Sequence, residues 1–65
     1  MRILVNGAWR ETRSAELAAV LEELGYGESV VTTAVNGEFV AAALRMRTPL
    51  AEGDRIEVLA PMQGG

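Results

Sequence analysis

The segment Arg55-Ile56-Glu57-Val58-Leu59 alternates polar and apolar residues as a half-buried β-strand does, and the topology of the sheet depends on its pairing partner. Glu52-Gly53-Asp54 before it predicts a turn, and Pro61 after it ends the strand. To be buried, this last strand must pair with something other than its neighbour in sequence. The apolar first segment, Met1 to Val5, is the natural partner.

Two Asn-Gly dipeptides predict two β-hairpins, because Asn-Gly tolerates the positive φ angles that a two-residue turn requires. The hairpins join residues 1–5 to 8–11 around Asn6-Gly7 and residues 30–35 to 38–40 around Asn36-Gly37. β-Branched residues dominate the third of these segments, as is typical of strands. The segment 41–46 favours either a short helical turn or irregular structure.

An amphipathic helix is predicted between the two hairpins. Its apolar stripe has the i, i+3, i+4, i+7 spacing and consists of Leu17, Val20, Leu21 and Leu24. Ser14 has the side chain of a helix N-cap, and Gly25 stands where a left-handed residue ends a helix. The predicted helix is therefore about ten residues long.

These elements predict an α+β protein with the β-grasp (ubiquitin-like) architecture. A mixed sheet of four to five strands would hold the first and last strands side by side and parallel, with one main helix packed across one face. The core would join the helix stripe to Ile3, Val5, Ile56 and Val58, with Leu50 closing one end. Residues 1–61 would form this single domain, and residues 62–65 a flexible tail.

Composition narrows the function classes. The 65 residues include no Cys and no His, which removes disulfides, thiolate nucleophiles, the usual zinc sites and the commonest general base. The formal charge is −3 and the arginines are dispersed, so the basic footprint of a nucleic-acid-binding protein is missing. Apolar runs are too short to span a bilayer. We expect a cytoplasmic monomer that is not an enzyme, with no catalytic, cofactor or metal site of its own.

The last four residues are the candidate functional site. Met62, Gln63, Gly64 and Gly65 follow the final strand, and five residues from Pro61 can span roughly 17 Å when extended. Glycines lack a Cβ, so the end of this tail can thread a narrow channel and present a carboxylate to another protein's active site. A carboxylate is a poor electrophile and must be activated there, for example as an acyl-adenylate. The competing interpretation is an idle, floppy end.

The order and spacing of several motifs closely resemble the ThiS family, the sulfur carriers of thiamine biosynthesis. These motifs are Asn36–Val40, Pro49-Leu50, Gly53–Val58 and Pro61–Gly65. The resemblance implies that a ThiF-type enzyme using ATP and Mg²⁺ adenylates Gly65, which then becomes a thiocarboxylate. It also implies that the sulfur comes ultimately from cysteine through a desulfurase and is delivered to the thiazole synthase ThiG.

Three alternatives remain at this point. MoaD, the small subunit of molybdopterin synthase, shares the Gly-Gly end, but MoaD-like chains tend to be longer and to approach it through Pro-Pro-Val. A ubiquitin-like protein modifier would join Gly65 to substrate lysines; all six basic residues here are arginine, so such a protein could not build chains on itself. The third alternative is an interaction module with an idle tail.

A docking surface for the activating enzyme is predicted on the face of the sheet that the helix leaves open. Strand alternation directs Leu4 and Leu59 to that face, where they would lie side by side and act together with Met62. An ordinary scatter of exposed apolar side chains is the alternative. For the two large aromatic residues Trp9 and Phe39, we expect at least one to pack in the core or in a hairpin.

Overall fold

The computed structural model describes residues 1–27 and 29–60 of the chain, and within them it contains five strands, one α-helix and one 3₁₀ helix. In chain order these are β1 (Arg2–Val5), β2 (Ala8–Glu11), α1 (Leu17–Glu23), β3 (Thr32–Val35), β4 (Glu38–Val40), the 3₁₀ helix (Ala42–Arg47) and β5 (Arg55–Leu59).

The five strands form one mixed sheet in the order β2-β1-β5-β3-β4. β5 runs parallel to β1, with Val5 opposite Ile56, and antiparallel to β3, with Val35 opposite the same residue. The two hairpins therefore flank a central last strand. The β-grasp prediction, including the parallel pairing of the first and last strands, is confirmed.

Both predicted hairpin turns are present. Asn6 and Gly7 have φ angles of 49° and 83°, and Asn36 and Gly37 have 51° and 86°. Positive φ at both central residues defines the type I′ turn, whose twist matches that of the flanking strands. β3 begins two residues later than the pattern suggested, because its partner β5 ends at Leu59, opposite Thr32; the Val31 carbonyl instead accepts from the Arg45 guanidinium at 2.6 Å.

The core lies between the sheet and α1, as predicted. Its buried members are Ile3, Val5, Leu17, Val20, Leu21, Val31, Val40, Ile56 and Val58. Leu24 and Leu50 are partly buried against it. The side chains of β1 and β5 that face the helix are thus those of the predicted set, and their neighbours along each strand point to the open face.

The predicted start of the helix was wrong. Ser14 is not the N-cap: α1 begins at Leu17 after the extended residue Glu16, and no side chain caps it. The reason is tertiary, because the Leu17 amide donates to the Thr48 carbonyl at 2.9 Å and Leu50 donates to Ala15 at 2.9 Å. These backbone bonds hold the residues before the helix in an extended bridge, so α1 has seven residues rather than ten.

The predicted end of the helix is confirmed. Gly25 has a φ of 92°, a left-handed conformation that glycine adopts without strain. Its amide donates to Glu22 at 3.1 Å and the Tyr26 amide donates to Leu21 at 2.9 Å, which is the Schellman pattern. The last carbonyls of α1 are therefore paired, and the chain is redirected towards β3.

Neither large aromatic residue lies in the core. Trp9 and Phe39 are 54% and 71% exposed, and both point to the open face of the sheet. Trp9 packs within its hairpin, with the Arg2 guanidinium 4.8 Å from the ring centroid, as in a cation–π contact. Phe39 alternates with the buried Val40 and remains uncovered.

Candidate functional site

The predicted tail residues Met62, Gln63, Gly64 and Gly65 lie outside the described residues, as does Pro61. The described part of the site is therefore the carboxyl end of β5, where Leu59 and Ala60 precede the tail. Because β5 is the central strand of the sheet, its end is held from both sides by neighbouring strands or their turns.

On one side, β3 holds the end of β5. Thr33 pairs with Val58 and Thr32 pairs with Leu59, the last residue of the strand. The Thr32 hydroxyl also donates to the Leu59 carbonyl at 3.4 Å. This antiparallel ladder continues to the last residue of β5.

On the other side, β1 ends before β5 does. β1 stops at Val5, and the side-chain amide of Asn6 takes over. The Val58 amide donates to Asn6 Oδ1 at 2.8 Å, and Asn6 Nδ2 donates to the Val58 carbonyl at 3.1 Å. Two hydrogen bonds from one side chain thus hold β5 at its penultimate residue.

An apolar groove lies on the open face beside the end of β5. It encloses about 200 Å³, and its lining residues are Thr32, Thr33, Ala34, Phe39, Glu57 and Leu59. Leu59 is 67% exposed, and Phe39 lies opposite Ala34 in the neighbouring hairpin. The walls of this groove therefore belong to β5, β3 and β4.

The predicted adjacency of Leu4 and Leu59 was wrong. Leu4 is partly buried and lies opposite Arg55 on β5 and Trp9 on β2. Leu59 is four residues beyond Arg55, which is about 13 Å along the strand. The parallel register decides this, because β1 ends where β5 still has three residues to run. A docking role for either residue stays a prediction.

The groove carries one charged side chain, Glu57, between its apolar members. Nearer the other edge of the sheet, Arg2 and Glu11 approach to 4.0 Å, a surface ion pair that contributes little. The end of β5 is thus weakly charged and mainly apolar.

A separate polar cluster lies at the opposite end of the sheet. The Glu23 carboxylate accepts hydrogen bonds from the hydroxyls of Thr12 and Ser14. Both bonds lower the pKa of Glu23, and the bond from Thr12 has the larger effect. The Thr12 amide donates to the Met1 carbonyl at the start of β1, which is parallel to β5. The cluster therefore fastens α1 to the end of β2 and lies away from the tail.

Residues 1–27 and 29–60 contain neither a metal-binding cluster nor a membrane-spanning helix. This part of the chain holds no group of three or more acidic side chains close enough to bind a metal ion. None of its helices has the length and apolar character needed to cross a bilayer.

The motif order of the chain agrees with one known family. A sequence model of the ThiS family matches residues 3–65. The chain belongs to the ThiS family. The match extends through Gly64 and Gly65, so the ThiS pattern includes both the sheet and the tail that leaves it.

Solved structures support the ThiS assignment. The chain is similar to the crystal structure of the thiamine biosynthesis protein ThiS from Geobacter metallireducens, with 29% identity, full coverage of both chains (100%) and a TM-score of 0.83. It is also similar to the NMR solution structure of a thiamine biosynthesis protein from the same organism. There the identity is 29%, 100% of this chain and 88% of that chain are covered, and the TM-score is 0.79. No curated protein shows significant similarity to the chain.

Two residues near the end of β5 were not identified from the sequence as part of the site. Phe39 could have been placed on the open face, because its neighbour Val40 is the inward residue of a short strand. Asn6 offered no such signal. An asparagine at this position is explained by the turn alone. The two hydrogen bonds from its side chain to Val58 depend on where β5 pairs with β1.

Proposed function

We propose that this ThiS-family chain is a sulfur carrier of thiamine biosynthesis, and that its working group is the carboxylate of Gly65. The observation that carries the proposal is the family match, which spans the whole domain and includes the Gly-Gly pair. The fold supports it, because the central strand β5 leads directly into the residues that would be presented to a partner.

Formation of the thiocarboxylate takes two steps, adenylation and sulfur transfer. The Gly65 carboxylate attacks the α-phosphorus of ATP and displaces pyrophosphate, which leaves an acyl-adenylate. A sulfide then attacks the acyl carbon and displaces AMP, which leaves a thiocarboxylate. The sulfur of a thiocarboxylate is a stronger nucleophile than the oxygen of a carboxylate, so the thiocarboxylate at Gly65 can attack a carbon centre that a carboxylate cannot.

The partners supply the rest of the machinery. A ThiF-type enzyme would bind ATP and Mg²⁺ and adenylate Gly65. The sulfur would come ultimately from cysteine through a desulfurase, and a thiol reductant would convert the desulfurase persulfide to the attacking sulfide. The thiazole synthase ThiG would accept the sulfur. On this proposal the chain is a substrate of successive enzymes and binds no cofactor itself.

Intact mass spectrometry tests the proposal. The chain is incubated with ATP, Mg²⁺, a ThiF-type enzyme and sulfide. Exchange of one carboxylate oxygen for sulfur should raise the mass by about 16 Da, because the acyl-adenylate is captured by the sulfur nucleophile. Tandem fragmentation should place the increase on Gly65.

The controls separate the competing functions. Omission of ATP should leave the mass unchanged. An increase obtained only with a MoaD-activating enzyme would replace the thiamine assignment by molybdopterin synthesis. Covalent conjugates that survive boiling and reductant would indicate a protein modifier, and no reaction with either enzyme would contradict a carrier function.

We further propose that the activating enzyme docks on the groove beside the end of β5. Leu59 and Phe39 are its most exposed apolar members, and Leu59 is the last residue of β5, close to the point where the tail begins. Apolar surface exposed together in this way favours an interface. Leu59→Glu should raise the KM of adenylation about tenfold, because the new carboxylate loses solvent in the complex.

A matched control is available on the other side of the molecule. Leu44 is 53% exposed in the 3₁₀ helix, which packs against α1 rather than on the open face. Leu44→Glu introduces the same charge and should leave KM within about twofold of the parent value, since surface substitutions outside an interface have small effects. Equal KM values for the two variants would place the docking surface elsewhere.

A further inference from the structure

We infer that Asn6 is a positioning residue for the Gly65 carboxylate: its side chain anchors the end of β5 and so sets the point from which the tail extends. The inference rests on the proposed function. Asn6 lies in the turn between β1 and β2, far from Gly65 in sequence. Asn6 is not a catalytic residue, because it would act through the backbone of Val58.

The Asn6 side chain replaces a missing piece of strand. In the parallel ladder, the Leu4 amide donates to Asp54 and the Asn6 amide donates to Ile56, each at 2.9 Å. A longer β1 would next accept from the Val58 amide and donate to the Val58 carbonyl. The chain instead enters the type I′ turn at Asn6, and the side-chain oxygen and nitrogen of Asn6 make these two bonds.

Asn36 is a natural comparison, because it occupies the same position in the other Asn-Gly turn. The backbone amide of Asn36 donates to the Arg55 carbonyl at 2.7 Å. The side-chain oxygen Oδ1 of Asn36 accepts from the backbone amide of Arg55 at 2.9 Å. The two asparagines thus share a turn type and a similar φ, and each side chain bonds to β5. They differ in which end they hold: Asn36 holds the beginning of β5, and Asn6 holds the end.

The position of the end of β5 affects where the Gly65 carboxylate can be presented. Beyond Val58 the described chain is paired only with β3, through Leu59 and Thr32. Residues 60 to 65 reach at most about 20 Å from the end of β5, so the position of that end limits where the carboxylate can be placed. A misplacement of about 1 Å at a reacting group can cost up to 100-fold in rate.

The two asparagines provide the test. Asn6→Gly and Asn36→Gly both keep the positive φ of the turn and both remove the side-chain bonds to β5. Asn6→Gly should lower kcat for thiocarboxylate formation about tenfold with KM within about threefold, because β3 still pairs with the groove side of β5 while the tail is misplaced. It should also speed hydrogen exchange at the Val58 amide. Asn36→Gly should leave kcat and Val58 exchange near the parent values.

Asn6→Asp keeps the acceptor for the Val58 amide but cannot donate to its carbonyl. It should lie between the parent and Asn6→Gly in kcat, and it provides the test if the glycine variant does not fold. Equal kcat values for Asn6→Gly and Asn36→Gly, with an active parent chain, would overturn the positioning role alone. A parent chain that gains no sulfur would overturn the proposed function, and the positioning role with it.

Discussion

Deleting Gly65 is expected to abolish thiocarboxylate formation, with a loss of at least 100-fold in the rate of sulfur gain. The deletion leaves a carboxylate on Gly64, one residue or about 3.5 Å short of its former position. Acyl activation depends on placing that carboxylate against the nucleotide, so a shift of this size removes the reactive geometry. The measurement is the rate of the mass increase with the ThiF-type enzyme.

The fold should be unaffected, which makes the deletion a clean test. The buried core lies within residues 3–58, so the unfolding midpoint in urea should match that of the parent chain. As a further control, a chain extended by one glycine should also lose activity, because its carboxylate lies beyond the nucleotide. Sulfur gain on Gly64 at the parent rate would contradict the dependence on reach.

Ile56→Ala is expected to have the largest effect on stability. Ile56 is fully buried (0% exposed) in the central strand, between Val5 on one side and Val35 on the other. Truncation of such a residue typically costs 2–5 kcal/mol through lost burial and the cavity left behind, that is, about 3 kcal/mol. A domain of this size has a total of only about 3–10 kcal/mol, so the variant should be close to unfolded at 37 °C.

Leu59→Ala is the matched control, since Leu59 lies on the same strand but is 67% exposed. Its free energy of unfolding should stay within about 0.5 kcal/mol of the parent value. Urea denaturation followed by circular dichroism measures both variants. If Ile56→Ala and Leu59→Ala proved equally stable, the assignment of inward and outward faces on β5 would be wrong.

Much of the fold could be predicted from local patterns. The two Asn-Gly turns define their own hairpins, because Asn-Gly readily adopts the positive φ angles that both central residues of a type I′ turn require. Leu17, Val20 and Leu21 share a helical face, and Ile56 and Val58 share a strand face, so the inward residues follow from periodicity alone. The candidate site could also be predicted, since the Gly-Gly pair and its spacing from the last strand are properties of the sequence.

The features that the local patterns failed to predict depend on contacts between residues that are distant in the chain. The start of α1 was mispredicted because backbone bonds from residues 48–50 hold residues 15–17, and a capping side chain is not needed there. Leu4 and Leu59 were predicted to be neighbours because alternation assigns a face but not a position along the strand. The parallel register, which only the assembled sheet specifies, separates them.

The inward faces of the helix and strands and the terminal Gly-Gly of the proposed carrier can thus be read from the sequence alone, because each depends on residues close together in the chain. The extent of β1 along β5, the side chains around the end of β5 and the Asn6–Val58 hydrogen bonds follow only from the assembled sheet. The physical reason is that strand register is set by pairing across the sheet, where contacting residues are some fifty positions apart in sequence.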